Sequence, residues 1–105
     1  MTPEQAHKAR EADFQKRVQA VADTMSNMFT YWVSRHPKQV RFRISLLKAH
    51  GSMGYYAMDS DKEVLETARV RFQIWLGTNG WAATTTTKLK HACWFRNIPY
   101  LDVTI

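Results

Sequence analysis

A single cysteine, Cys93, is present in the chain. That excludes an intramolecular disulfide and suits a reducing compartment. No apolar run approaches the roughly 20 residues needed to span a bilayer. The first residues are polar and charged, so no secretory signal is expected and the cytoplasm is the expected location. Acidic residues are missing from two long intervals, Thr24 to Met58 and Thr67 to Leu101. Both intervals carry cations: Arg35, Lys38, Arg41, Arg43 and Lys48 in the first, and Arg69, Arg71, Lys88, Lys90 and Arg96 in the second.

Several chemistries lack their residues. The glycine-bearing stretches Gly51-Ser52-Met53-Gly54 and Gly77-Thr78-Asn79-Gly80 have no Gly-Lys-Ser/Thr leading a helix, so neither reads as a phosphate-binding loop. His91 and Cys93 fall on one side of a strand about 7 Å apart, too far for a direct nucleophile–base hydrogen bond. A zinc site would need two further ligands, and His36 and His50 do not supply a standard spacing. Asp59, Asp61, Glu63 and Glu66 cluster in one polar segment where capping explains them. The expectation is a non-enzymatic protein with no metal and no cofactor.

What is present is a basic, aromatic-rich globule. The 105 residues are 45% hydrophobic, which suits one folded domain over residues 1–105. The 4 Trp, 4 Tyr and 5 Phe exceed what one small core needs, so some should lie on a binding surface. A net charge of +6 favours a polyanionic partner.

The organising stretch runs from Phe14 to Trp32. Phe14, Val18, Val21, Met25, Met28 and Trp32 recur at alternating spacings of four and three, which returns each to one helical face. Thr2 can cap, Pro3 suits the first helical position, and Gln5 completes a capping box. Pro37 disfavours helical geometry at His36, so the helix spans about 3–35. Its first turns, Ala6 to Asp13, carry little of the apolar seam. The seam packs on a sheet or, as a second possibility, pairs with another copy in a homodimer.

A sheet region is expected over about 39–105. Val40, Phe42, Ile44 and Leu46 alternate with Arg41, Arg43 and Ser45, the pattern of a half-buried strand. Tyr55-Tyr56-Ala57-Met58 reads as its return strand in a hairpin. Ser60 with Glu63 fits a capping box for a short helix, with an acidic turn as the competing reading. Val70-Arg71-Phe72-Gln73-Ile74-Trp75-Leu76 echoes the first strand, and Asn79-Gly80 after it is a hairpin signal. Val64, Ala68, Phe72 and Trp75 also fit a helix from Asp61 to Leu76, closed by Gly77. The strand is the preferred reading for 69–76. Trp81 to Leu89, with four consecutive threonines, and His91 to Phe95 read as extended. Asn97-Ile98-Pro99 reads as a turn, and Tyr100 to Ile105 as a final strand.

The expected fold is therefore α+β, a long N-terminal amphipathic helix packed on an antiparallel sheet of four to six strands. If Val40 and Val70 face inward, then Arg41, Arg43, Arg69, Arg71 and Trp75 share the outer sheet face, with Lys88 and Lys90 beside them. Cations near exposed rings suit single-stranded DNA or RNA, because cations meet phosphates and rings stack on bases. Tyr55 and Tyr56 are further stacking candidates. The alternative is a small inhibitor or adaptor, of a phage or mobile-element accessory kind, that binds an acidic protein surface. A helix-turn-helix is not indicated, since the helical region is one long element.

Overall fold

Thr2 starts the first helix as its capping pattern predicts. Its hydroxyl accepts from the Gln5 N–H at 3.2 Å, and Gln5 Oε1 accepts from the Thr2 N–H at 3.0 Å. With Pro3 in the first turn this opens α1, Pro3–Arg35. The computed structural model describes residues 1–49, 55–57, 59, 61–93 and 96–105. After α1 come β1 (Arg41–Ser45), β2 (Leu47–Ala49), β3 (Tyr55–Ala57), α2 (Lys62–Thr78), β4 (Thr84–Cys93) and β5 (Arg96–Thr104). The fold is α+β with antiparallel strands. Among the described residues, no helix is long and apolar enough to cross a membrane.

The 33 residues of α1 make a rod of about 50 Å. Residues 7–13 are exposed, so its first turns stand clear of the core. Val18, Val21, Ala22, Met25 and Phe29 are the buried residues of α1. The seam expected from spacing named Met28 and Trp32 instead of Ala22 and Phe29. The difference follows from helical pitch. A strict 3.5-residue repeat drifts by about 20° per heptad on a straight helix, so the inward position moves one residue along. Val18, Val21 and Met25 are covered by the chain's own core, whereas Phe14 and Met28 pack at its margin and Trp32 is 37% exposed.

The preferred strand over 69–76 is corrected: these residues lie inside the helix α2. Two caps and a longer apolar period outweigh the short alternation. Asp61 Oδ1 accepts from the Glu63 N–H at 2.9 Å, so the N-cap is Asp61. Ser60, the expected cap, lies outside the described residues. At the other end the Trp81 N–H donates to the Leu76 carbonyl at 2.9 Å and the Gly80 N–H to the Gly77 carbonyl at 3.1 Å. Gly80 has φ +82°. This is a Schellman cap, and the left-handed residue it needs is the glycine that had suggested a hairpin. Val64, Leu65, Ala68, Phe72 and Leu76 point inward, while Val70 and Ile74 are left exposed.

Among the described residues the strands form two sheets rather than one of four to six: a three-stranded sheet ordered β1-β5-β4, and a two-stranded β2-β3 ribbon. Tyr55–Ala57 returns as expected, but it pairs with β2, Leu47↔Ala57, and not with β1. Asn97-Ile98-Pro99 lies within β5 and is not a turn. Pro99 is tolerated there because of parity. The Ile105 N–H donates to the Val40 carbonyl at 2.8 Å, so odd-numbered residues of β5 turn their backbone groups toward β1. β1 has already ended at Ser45↔Tyr100, so no ladder bond is lost where Pro99 lacks its N–H.

The core lies between the helices and the inner face of the sheet. Phe29 of α1 meets Phe42, Phe72, Trp75 and Trp81 edge-on, with ring centroids 5.2–6.3 Å apart. Ile44, Leu101 and Val103 complete the sheet's buried face. Burial of each large side chain contributes about 1.5–3 kcal/mol before entropy is charged.

Candidate nucleic-acid interface

β1 alternates, so Phe42 and Ile44 are buried while Arg41 and Arg43 stand on the other side. The register places Arg43 opposite Asp102 and Arg41 opposite Thr104 on β5, with Thr86↔Asp102 and Lys88↔Tyr100 on β4. The outer face of the sheet therefore collects Arg41, Arg43, Lys88, Tyr100 and one carboxylate, Asp102.

Asp102 is nearly buried, at 6% exposure, because two cations close over it. Arg41 Nε donates to its Oδ1 at 2.9 Å and Arg41 Nη2 to Oδ2 at 2.6 Å. Lys88 Nζ approaches Oδ2 at 3.2 Å from the opposite strand. The hydrogen bonds from Arg41 pull the Asp102 carboxyl down to about 2, against the cost of burial and with help from Lys88. One carboxylate thus orders two cations without cancelling both.

Arg43 belongs to a different kind of pair. Its guanidinium lies 5.2 Å from the centre of the Tyr100 ring. The same arrangement recurs at the C-terminal end of α1. Arg35 lies 4.4 Å from the Tyr31 ring centre, and His36 stacks on Trp32 with centroids 5.6 Å apart. Tyr31 meets Trp32 edge-on. Among the described residues, none of Arg35, His36 and Arg43 forms an ion pair. A pocket of about 340 Å³, lined by Trp32, His36, Gln39, Arg41, Phe42 and Arg43, joins the helix end to β1. The pocket thus brings Trp32 and His36 of the helix end beside Arg41 and Arg43 of the sheet.

The expected platform of two echoed strands is not formed, and its residues separate. Arg41, Arg43 and Lys88 come together on the sheet. Lys90 sits on the same strand opposite Ile98, with its side chain outside the described residues. Arg69, Arg71 and Trp75 belong to α2, which packs against the inner side. Arg69 is held by Glu66 and donates to the Thr85 carbonyl and hydroxyl at 3.3 and 3.1 Å. The pairing with Arg69 lowers the Glu66 carboxyl below its ordinary value. Arg71 Nη1 donates to Gln19 Oε1 at 3.0 Å, and its Nη2 donates to Gln15. These arginines stitch α2 to β4 and to α1. Trp75 stacks on Phe72 and packs partly buried against the core, away from the outer sheet face. The side chains of Tyr55, Tyr56, His91 and Cys93 lie outside the described residues, as does His50.

Residue-pattern reasoning missed Tyr31, Trp32, Arg35, His36 and Tyr100. One signal was available for part of this set. Tyr31 and Arg35, and Trp32 and His36, are each four apart along the chain at the end of a helix, so each basic side chain reaches a ring one turn away. Tyr100 needed the strand register. Among the described residues, no group of three or more His, Cys, Asp or Glu is placed to hold a metal ion.

Comparison with protein-family models, with curated proteins and with solved structures returns no match.

Proposed function

We propose that this is a non-enzymatic, single-stranded nucleic-acid-binding protein, acting in the cytoplasm. Its contact surface runs from Tyr31, Trp32, Arg35 and His36 at the end of α1, past Arg41 and Arg43, to Tyr100 and Lys88. The observation that supports this reading is the pair of guanidinium groups, Arg35 and Arg43, that rest on rings and form no ion pair among the described residues, with His36 stacked on Trp32 beside them. Such pairs present a flat face for a base and a charge for the adjoining phosphate, and stacking tolerates any sequence. The exposure of Trp32 and Tyr31 supports the same reading, since a ring in contact with a base must be reachable.

Fluorescence anisotropy with labelled single-stranded DNA and RNA tests it. Three or four phosphate contacts should weaken binding by roughly 20- to 50-fold between about 50 and 200 mM salt. Trp32→Ala should weaken it by about 5-fold or more through loss of stacking. Salt-independent affinity, or an unchanged Trp32→Ala, contradicts the reading.

A further inference from the structure

The pocket between the end of α1 and β1 has a volume of about 340 Å³. That lies at the small end of ligand sites, which run from about 300 to 1,000 Å³, and suits one nucleoside-sized ligand. Its walls differ in chemistry. Trp32 and His36 form one side, with their ring planes 23° apart and centroids 5.6 Å apart. Both residues are exposed, so a further flat ring can extend the stack. Gln39, Arg41, Phe42 and Arg43 form the rest. Here the polar side chains offer opposite hydrogen-bonding character. Gln39 Nε2 donates to the Arg41 carbonyl at 2.5 Å. A carbonyl only accepts, so this bond fixes which way the amide points. The nitrogen is spent on the backbone, and Oε1 is the atom left to accept from a ligand. Arg43 offers donors only, and its guanidinium rests over Tyr100 with no ion pair among the described residues. Arg41 is the weaker reader, because Asp102 holds its Nε and Nη2.

We propose that this pocket reads one guanine of a bound single strand. The inference rests on the nucleic-acid-binding reading above and names the base that the site selects. Guanine carries two adjacent acceptors, O6 and N7, which a guanidinium fork meets with two N–H groups. Arg43 supplies that fork. The neighbouring edge of guanine carries the N1–H and N2–H donors, and Gln39 Oε1 accepts from them. The two-ring base extends the Trp32–His36 stack. Adenine sets its N6 amine beside N7, so it turns a donor toward the donors of Arg43. Cytosine and thymine have one ring and no N7, so they give up the forked contact and part of the stack.

The test uses the whole protein and ten-nucleotide thymidine strands whose central base is thymine, guanine, adenine or cytosine, followed by anisotropy at one salt concentration. The guanine strand should bind about 10-fold more tightly than the other three, the discrimination of one good forked contact. Two analogues separate the edges. 7-Deazaguanine lacks the N7 acceptor and hypoxanthine lacks the N2 amine, and each should lose about 3-fold or more of the guanine affinity. Gln39→Leu should lower the guanine advantage by about 3-fold or more and leave the all-thymine strand unchanged, which reports that the variant is folded. Equal, salt-sensitive affinity for all four strands overturns the guanine pocket and leaves general single-strand binding standing. So does a preference for another base, or a guanine advantage that survives both analogues. Failure of every strand to bind overturns the pocket and the functional reading together.

Discussion

Arg41 and Asp102 sit diagonally on neighbouring strands, and the guanidinium grips both carboxylate oxygens while Lys88 reaches the same carboxylate from the third strand. The three strands of the main sheet are thus tied by charge on the face opposite the core.

The tie sets an acid limit. The Asp102 carboxyl falls from 3.8 to about 2 because Arg41 hydrogen-bonds its charged form. A carboxyl depressed in the folded state adds stability that is complete above the unfolded value and lost as pH falls through the folded one. Thermal melts should therefore show a loss between about pH 4 and pH 2. Asp59, held down by its hydrogen bonds from Arg17, contributes in the same direction. Asp102→Asn should flatten part of this loss; a melt series parallel to the wild type over that window rules the assignment out.

Asp102→Asn should also raise affinity for a single-stranded oligonucleotide. The substitution removes the one carboxylate of the outer face and frees Arg41 and Lys88 for phosphate. A single charge near the surface is worth about 1 kcal/mol at contact, so the gain should reach up to about 5-fold at low salt. Titration of the variant beside the wild type measures it, and a weaker variant would argue against this face as the contact surface.

The cations should divide by location. Arg35→Gln, Arg43→Gln and Lys88→Gln should each weaken oligonucleotide binding and reduce the salt slope by about 0.7. Arg71→Gln should leave binding unchanged and cost about 1 kcal/mol of stability, because its bonds to Gln15 and Gln19 join two helices. Binding titrations and urea melts on the four variants separate the groups.

Two glycines close together should respond with opposite sign. Gly80 holds φ +82° with open space where a Cβ would stand, so Gly80→Ala costs only the left-handed backbone, about 1–2 kcal/mol. Gly77 lies within α2 at ordinary φ, also with open space, so Gly77→Ala should stabilise by about 0.5–1 kcal/mol. Denaturant midpoints of the two variants should move in opposite directions.

Phe29→Ala should be the most damaging single truncation. The ring meets four other aromatic rings and is 1% exposed, so its removal leaves a cavity costing about 3–5 kcal/mol. A small domain holds about 5–15 kcal/mol in all. Chemical denaturation should show this loss, with Trp32→Ala costing far less because Trp32 lies at the margin.

Local chemistry was legible wherever neighbours in sequence decide it. Thr2, Pro3 and Gln5 name the start of α1, Pro37 places its end, and alternation in Arg41–Ser45 separates Phe42 and Ile44 from the arginines. These features depend on backbone sterics and on contacts within one turn or one pleat. The tertiary structure decided what such rules leave balanced. The segment 69–76 satisfies both a period of two and a helical period, and its helical state rests on Asp61, the Schellman cap and the fit of Phe72 and Leu76 into the core. Which cations share a surface was also settled only by folding. Arg43 meets Tyr100, and Arg41 meets Asp102, through a register between strands far apart in the chain. Hydrophobic burial selects that register, because a slip of one residue would turn Phe42 and Ile44 out to water.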